Sequence, residues 1–483
     1  MNTPARRLYL FVTLLFAILI FATTWWSVAR PESLEDNPLN KRALLEEQRI
    51  KRGTIRAADG TLLARSVPGE ADTWLRRYTA ADQAVAHAIG YSYANLGRAG
   101  LERYRNDFLI GSSDELTDFV DELTGREPVG ENVVTTLDLD AQRVALEQLA
   151  GRKGSVVALE PSTGRVKVMA SFPGFDANAL RDPKTFAELN RDPDAPMFNR
   201  ATQASYPPGS TFKVVTAAAA LDSGEYTPDS VVDGSSPKTI SGVPLSNSGG
   251  ASYGPISLTT ALTNSVNTVW AQVAESLGKD TMAEYMERFG FYAKPPLDYP
   301  ADQMLASGQY GPDGKLLDPT SDAIDVGRMA IGQDKLQVTP LQMAMVAGVV
   351  ANGGDLVAPR LTERVVDPDG RTSEELEPET VRRVISAETA AQLGTMMTNV
   401  VNEGTGTAAA LSGISVAGKT GTAEKNVATD LNQPWFIAFA PADDPQIAIA
   451  VTIEDSIGGQ GGTVAAPVAK AVLEQLLGEE ADG

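Results

Sequence analysis

The chain has 483 residues, no cysteine, a single histidine (His87) and a formal charge of −21, from 41 basic against 62 acidic residues. Without cysteine there is no disulfide, no thiol nucleophile and no cysteine-held zinc or iron–sulfur site, and one imidazole is too few for a multi-histidine metal centre. Acid–base chemistry must then run on carboxylates, lysines, tyrosines or hydroxyls, and the acidic balance argues against nucleic acid as a partner. With 43% hydrophobic and 21% charged residues, the composition is that of a globular protein of about two or three domains.

Residues 8–29 carry no charge and are long enough, as a helix, to cross a hydrocarbon core of about 30 Å. Trp25 and Trp26 stand near the far end, where amphipathic rings favour the headgroup region. Ser27-Val28-Ala29 loosely resembles a signal-peptide cleavage site, but a cleavable apolar region runs to about 7–15 residues, so an uncleaved anchor is expected. Arg6 and Arg7 precede the span while Arg30, Lys41 and Arg42 follow it, so basic residues alone do not set its orientation.

Beyond the span, Arg52-Gly53-Thr54-Ile55 and Leu62-Leu63 read as two short strands joined by an Asp59-Gly60 turn. An acidic, helical stretch is expected from Asp114 to Glu127, presenting a solvated face. Val133 to Leu137 reads as a strand, followed by a helix in which Ala141, Val144, Ala145 and Leu149 keep helical spacing. Ser155–Leu159 and Val166–Ala170 flank a Pro161-Ser162-Thr163-Gly164 turn and predict a hairpin. Trp435–Ala440 and Ile447–Ile453 form a second strand pair, and a helix over Ala465–Leu477 closes the chain. Strands at both ends of this region, with helices between, predict an α+β domain whose sheet is completed by distant segments.

Three short motifs carry the chemistry. Tyr206-Pro207-Pro208-Gly209-Ser210-Thr211-Phe212-Lys213 leads into an apolar run, which places a helix start near Ser210 and a buried helix after it. Ser210 and Lys213 then share one face of the first turn, where burial and the helix dipole both lower the lysine pKa and make it a candidate base for the hydroxyl. Two further Ser-x-x-Lys copies exist, but Pro237 breaks the one ending at Lys238 and Gly278 the one ending at Lys279. Ser265-Val266-Asn267 is the only Ser-x-Asn; by itself it reads as a helix N-cap. Lys419-Thr420-Gly421-Thr422 contains the only Lys-Thr-Gly; by itself it reads as a surface strand, although a glycine inside a strand often marks close backbone approach.

In this order the motifs resemble the active-site set of the penicillin-binding and serine β-lactamase superfamily. The resemblance extends from about Val133 to Leu477. It takes in the hairpin at Leu159–Gly164, the Tyr206–Gly209 lead-in, Ile331-Gly332-Gln333 through Thr339-Pro340-Leu341-Gln342, and Lys419 through Glu424. Arg52-Gly53 to Leu63-Ala64 is similar to the start of the non-catalytic domain of class B penicillin-binding proteins. The implied organisation is a cytoplasmic tail at 1–7, an anchor helix at 8–29, a small non-catalytic module at 30–150 and a penicillin-binding transpeptidase domain at 151–483. That domain is an antiparallel sheet flanked by helices, with a helical lobe.

The resemblance also implies residue roles. Ser210 is the nucleophile and Lys213 its base. Ser265 relays a proton to the leaving amine with Lys213 and Lys419, and Asn267 holds the substrate amide and orients Lys213. Lys419, Thr420 and Thr422 bind the substrate carboxylate. Gly421 lets a peptide lie along the strand, and the N–H groups of Ser210 and Thr422 form an oxyanion hole. No metal or cofactor is implied, and His87 is expected to be structural or at the surface.

The implied reaction is acylation of Ser210 by a D-alanyl-D-alanine stem peptide, with transfer to an amine on a neighbouring peptidoglycan strand. β-Lactams would be covalent inhibitors. Alternatives are a carboxypeptidase or β-lactamase that hydrolyses the acyl-enzyme, or a non-enzymatic β-lactam sensor or scaffold. About 120 residues between span and transpeptidase are too few for a glycosyltransferase, which implies a separate polymerising partner of the SEDS type. Self-association through the 30–150 module is a further implied role. The expected location is the bacterial cell membrane, single-pass, with residues 30–483 outside the cytoplasm.

Overall fold

The structure, a computed structural model, describes residues 3–25, 47–70, 72–79, 83–111 and 129–481. The first helix, α1 (Thr3–Thr24), is long and apolar enough to cross a membrane, and its large apolar side chains are exposed. The Thr13 and Thr23 hydroxyls donate back to the carbonyls of Tyr9 (2.9 Å) and Leu19 (2.8 Å), so these polar atoms are satisfied inside the helix. The helix starts earlier than the uncharged run and takes in Arg6 and Arg7. Trp26, Ser27–Ala29 and the acidic stretch 114–127 lie outside the described residues.

The N-terminal module is built on strands β1 (Ile55–Arg56), β2 (Leu62–Pro68), β3 (Trp74–Tyr78) and β4 (Asn132–Thr135). β1 and β2 pair antiparallel through the expected Asp-Gly turn, in which Gly60 takes a positive φ of 84° and the Asp59 carboxylate accepts from Thr61 N at 2.8 Å. Next come α2 (Leu139–Leu149), the hairpin β5 (Gly154–Leu159) and β6 (Val166–Phe172), and α3 (Lys213–Asp222). They are followed by α4 (Leu258–Thr263), α5 (Asn267–Arg288) and α6 (Pro340–Ala351). The hairpin β7 (Thr362–Val366) and β8 (Thr372–Glu375) precedes α7 (Ala387–Asn402). The chain ends with β9 (Ala417–Asn426), β10 (Leu431–Ala440), β11 (Ile447–Ile453) and α8 (Ala466–Ala481).

The central antiparallel sheet runs β9-β10-β11-β5-β6, so the two strand pairs at opposite ends of the catalytic region do meet in one sheet. Its alternating side chains feed two cores. Val157, Met169, Ile437, Phe439 and Ala448 face the core that includes α3 and α6, whereas Val156, Val168, Phe436, Ala438 and Ile449 face the core with α2 and α8. Apolar residues on both faces explain why these strands read as continuous hydrophobic runs.

The sequence boundary at 150/151 does not coincide with a structural seam. Helix α2 packs on β6 and α8, inside the transpeptidase unit. Conversely, β7 and β8 leave that unit to extend the module's sheet, which runs β8-β7-β4-β1-β2-β3. His87 sits at the junction. Its Nε2 donates to Pro196 O at 2.8 Å, its own carbonyl accepts from the Tyr299 hydroxyl at 2.5 Å, and its ring meets Phe175 edge-on at 5.2 Å. Burial pushes its pKa down to about 4, with the Pro196 contact opposing that shift.

Candidate active site

Ser210 lies in a 3₁₀ turn, Gly209–Phe212, and the α-helix proper begins at Lys213. The turn is held from several sides. Gly209 has a positive φ of 54° and donates to Gly332 O at 3.0 Å, Trp435 Nε1 donates to Pro207 O at 3.0 Å, and Thr211 Oγ1 donates to Pro208 O at 2.8 Å. Gly332 itself must be glycine: its φ is 77°, and a Cβ there would lie 1.9 Å from Gly209 O. Ser210 is half-buried, and among the described residues none hydrogen-bonds its hydroxyl.

Helix α3 is buried from Lys213 to Leu221, as its all-round apolar sequence requires. The Lys213 amine donates to Asn267 Oδ1 (2.7 Å), Ser265 O (2.7 Å) and Ser265 Oγ (3.2 Å). Lys419, from β9, donates to the same Ser265 Oγ at 2.9 Å and to Thr420 O at 3.1 Å. Both lysines are fully buried. Desolvation, reinforced by Lys419, holds the Lys213 pKa well below the usual lysine range, and desolvation pushes Lys419 down to about 7. The three motifs therefore meet at one point, with the Ser265 hydroxyl between two amines.

Ser265 and Asn267 are not helix caps. The N-cap of α5 is Val266, which makes no side-chain capping bond. Ser265 instead takes a left-handed φ of 57°, a strained conformation for a serine that turns up where surrounding contacts impose it. The Asn267 amide is fixed at both ends, accepting from Lys213 and donating from Nδ2 to Ser246 O at 3.0 Å.

Among the described residues, strand β9 is an edge of its sheet, paired only with β10. Thr422 lies opposite Pro434, whose carbonyl accepts from Thr452 of β11, so Pro434 turns its main-chain groups away from β9. In an antiparallel ladder this makes Thr422 and, two residues back, Thr420 non-hydrogen-bonded positions whose N–H and C=O point out of the free edge. The Thr422 hydroxyl accepts from Gly461 N at 3.1 Å, which leaves its proton to donate elsewhere. The Thr420 and Thr405 hydroxyls lie 2.6 Å apart. Gly421 also meets a requirement inside the protein. A Cβ there would lie 2.7 Å from Pro208 O and 2.9 Å from Thr211 Cγ2, so the missing side chain makes room for the protein's own Ser210 turn.

Residues 154–474 match the penicillin binding protein transpeptidase domain. The chain belongs to the penicillin-binding protein transpeptidase family. Residues 52–133 match, in addition, the dimerisation domain of penicillin binding protein A. The peptidoglycan D,D-transpeptidase PbpA of Mycolicibacterium smegmatis is 36% identical over 99% of this chain and 100% of that protein. The protein of the same name from Mycobacterium tuberculosis is 34% identical over 99% of each chain. Among solved structures, penicillin-binding protein A of M. tuberculosis as a ceftriaxone acyl-enzyme complex superposes with a TM-score of 0.79 at 33% identity, covering 89% of this chain and 99% of that one.

Within this family architecture the structure brings together every site residue expected from the sequence: Ser210, Lys213, Ser265, Asn267, Lys419, Thr420, Gly421 and Thr422. It adds supports that motif reading passed over. Gly332 and Trp435 brace the Ser210 turn, Ser246 fixes Asn267, and Gly461 lies so near β9 that a Cβ would stand 2.4 Å from Gly421 O. Gly332 falls inside the Ile331-Gly332-Gln333 stretch, so a signal was present there. Ser246 lies in a loop and Gly461 opens the π-helical turn Gly461–Ala465 before α8, and neither sequence carries one.

Proposed function

We propose that the protein is a serine-type peptidoglycan D,D-transpeptidase that cross-links stem peptides during cell wall synthesis through a Ser210 acyl-enzyme and is acylated by β-lactams. The carrying observation is the junction of two buried, weakly basic lysines on one hydroxyl, beside an unbonded serine hydroxyl. A neutral Lys213 has two N–H groups, which Ser265 O and Asn267 Oδ1 occupy, so its lone pair faces the Ser265 hydroxyl at 3.2 Å and turns to accept the Ser210 proton when that contact gives way. Ser210 Oγ attacks the penultimate D-Ala carbonyl. The oxyanion lies against the N–H groups of Ser210 and Thr422, the latter on the free edge of β9. The proton passes from Lys213 through Ser265 to the nitrogen of the departing D-Ala, and an amine of a second stem peptide then takes the acyl group. Lys419, Thr420 and Thr422 hold the terminal carboxylate.

Residues 8–29 act as a single-pass anchor, a reading that the exposed apolar surface of α1 supports, and residues 30–483 lie outside the cytoplasm, where the peptidoglycan substrate is. The 30–150 module serves as a pedestal or self-association unit, and a SEDS-type glycosyltransferase supplies the strands.

The test is fluorescent penicillin labelling followed by assay on a lipid-linked peptidoglycan substrate. Wild-type protein labels, Ser210→Ala does not, and cross-linked product accumulates. No wild-type label would refute acylation, and hydrolysis without cross-links would make the protein a carboxypeptidase.

A further inference from the structure

The hydroxyl of Thr420 is not the outermost group of its cluster. Thr420 is buried, at 7% exposure, whereas its partner Thr405 is exposed. Their oxygens lie 2.6 Å apart, a full hydroxyl–hydroxyl hydrogen bond. Thr405 belongs to none of the three motifs. It stands in the short connection that leaves α7, and two glycines clamp that connection. A Cβ on Gly404 would lie 2.4 Å from Thr263 O, and one on Gly462 would lie 2.4 Å from Thr405 O. Thr405 N also points to Thr263 O at 3.4 Å. The connection is therefore wedged between the end of α4, two residues before Ser265, and the start of α8's lead-in. Its threonine is held against β9 by backbone on both sides and not by a flexible loop.

We infer that Thr405 is a further carboxylate-recognition residue, acting with Thr420 as one donor pair toward the anionic end of the acyl donor. The inference rests on the proposed function, in which Lys419 and Thr420 meet that carboxylate. In a pair of hydroxyls one proton is spent between the two oxygens and the other remains for an external acceptor. A hydroxyl that accepts one hydrogen bond donates the next more strongly. Whichever oxygen faces the anion, removing Thr405 removes one link of this chain and leaves the charge of Lys419 in place. The effect falls on substrates that carry the carboxylate and spares those that lack it.

The experiment compares acylation by benzylpenicillin with acylation by its methyl ester, in wild type and in Thr405→Val, Thr405→Ala and Thr405→Ser, with thermal melts confirming folded protein. Losing a hydrogen bond to a charged group slows the carboxylate form by about tenfold. We expect Val and Ala to show that loss with benzylpenicillin and wild-type rates with the ester, and Ser to restore the former. Equal slowing on both compounds would overturn the inference in favour of a packing role, and so would unchanged rates on both. Absence of wild-type acylation would instead overturn the proposed function itself.

Discussion

Asn267→Asp tests whether Asn267 works through Lys213 or on the substrate. The substitution keeps shape and the acceptor oxygen but places a carboxylate 2.7 Å from the Lys213 amine. At an effective dielectric of about 20, unit charges at that distance attract by roughly 6 kcal/mol, or about 4 pKa units. Burying the new carboxylate costs part of this, and the remainder raises the Lys213 pKa. A raised pKa keeps the amine protonated and unable to accept the Ser210 proton until the medium is more alkaline. The acid limb of the acylation–pH profile therefore moves to higher pH, with a loss of about tenfold per unit below it. Asn267→Ala loses the same donation to Ser246 and adds no charge, so it lowers the rate without moving the limb. The readout is the second-order rate of fluorescent penicillin labelling between pH 5 and 10. An unmoved limb in Asn267→Asp would refute the reasoning and assign Asn267 to the substrate amide alone.

Two further outcomes follow from burial. The Lys419 pKa, near 7 against an unfolded value near 10.5, means that the folded state carries a penalty of about 5 kcal/mol below pH 7. That penalty fades as pH rises toward the unfolded value. Lys419→Met removes it and sacrifices two donated hydrogen bonds. We expect a variant that labels poorly yet is about 2 kcal/mol more stable at pH 6, the gain shrinking and reversing toward pH 10 as the penalty fades and the lost hydrogen bonds remain; a pH-independent difference, or a variant less stable at pH 6, would refute this. His87, the only imidazole in the chain, should titrate near pH 4 by NMR. Because its folded pKa lies below the unfolded value of 6.5, stability falls by about 3 kcal/mol as pH drops from 6.5 to 4. His87→Gln should lose that component, and a midpoint at 6 or above would contradict burial.

The elements that were legible in the sequence are those whose pattern has one physical solution. Predominantly apolar runs at 155–159, 166–170, 435–440 and 447–453 had to become buried strands, and the alanine-rich run after Lys213 had to be a buried helix. Motif residues were legible because a chain without cysteine and with one remote histidine leaves only carboxylates, lysines, tyrosines and hydroxyls, and the three motifs in their order single out the hydroxyls and lysines. What stayed hidden depends on contacts between distant segments. The packing need at Gly421 was hidden because a one-dimensional reading cannot show that Pro208 and Thr211 crowd the place of its side chain. Ser265 and Asn267 looked like caps because their residue types suit caps; only the positive φ at Ser265 shows that they are spent on the lysines instead. The module's outer hairpin, β7–β8, was assigned to the catalytic unit because chain order gives no hint that 362–375 returns to β4.

The paired lysines also explain how a proton can move in one direction without a histidine. Desolvation leaves each amine a weak base, and each disfavours a proton on the other. A proton arriving on Lys213 from Ser210 would therefore meet the field of Lys419, which is itself biased toward the charged form once a carboxylate binds beside it. The shared contact of both amines with Ser265 Oγ, at 3.2 and 2.9 Å, supplies the exit. Under the proposed roles, substrate binding makes Lys419 more positive and Lys213 a poorer place to keep a proton, so the proton is driven on to the leaving nitrogen. The same arrangement accounts for the position of Ser265: a relaxed φ would serve the helix terminus, whereas the left-handed one holds the hydroxyl between the two amines.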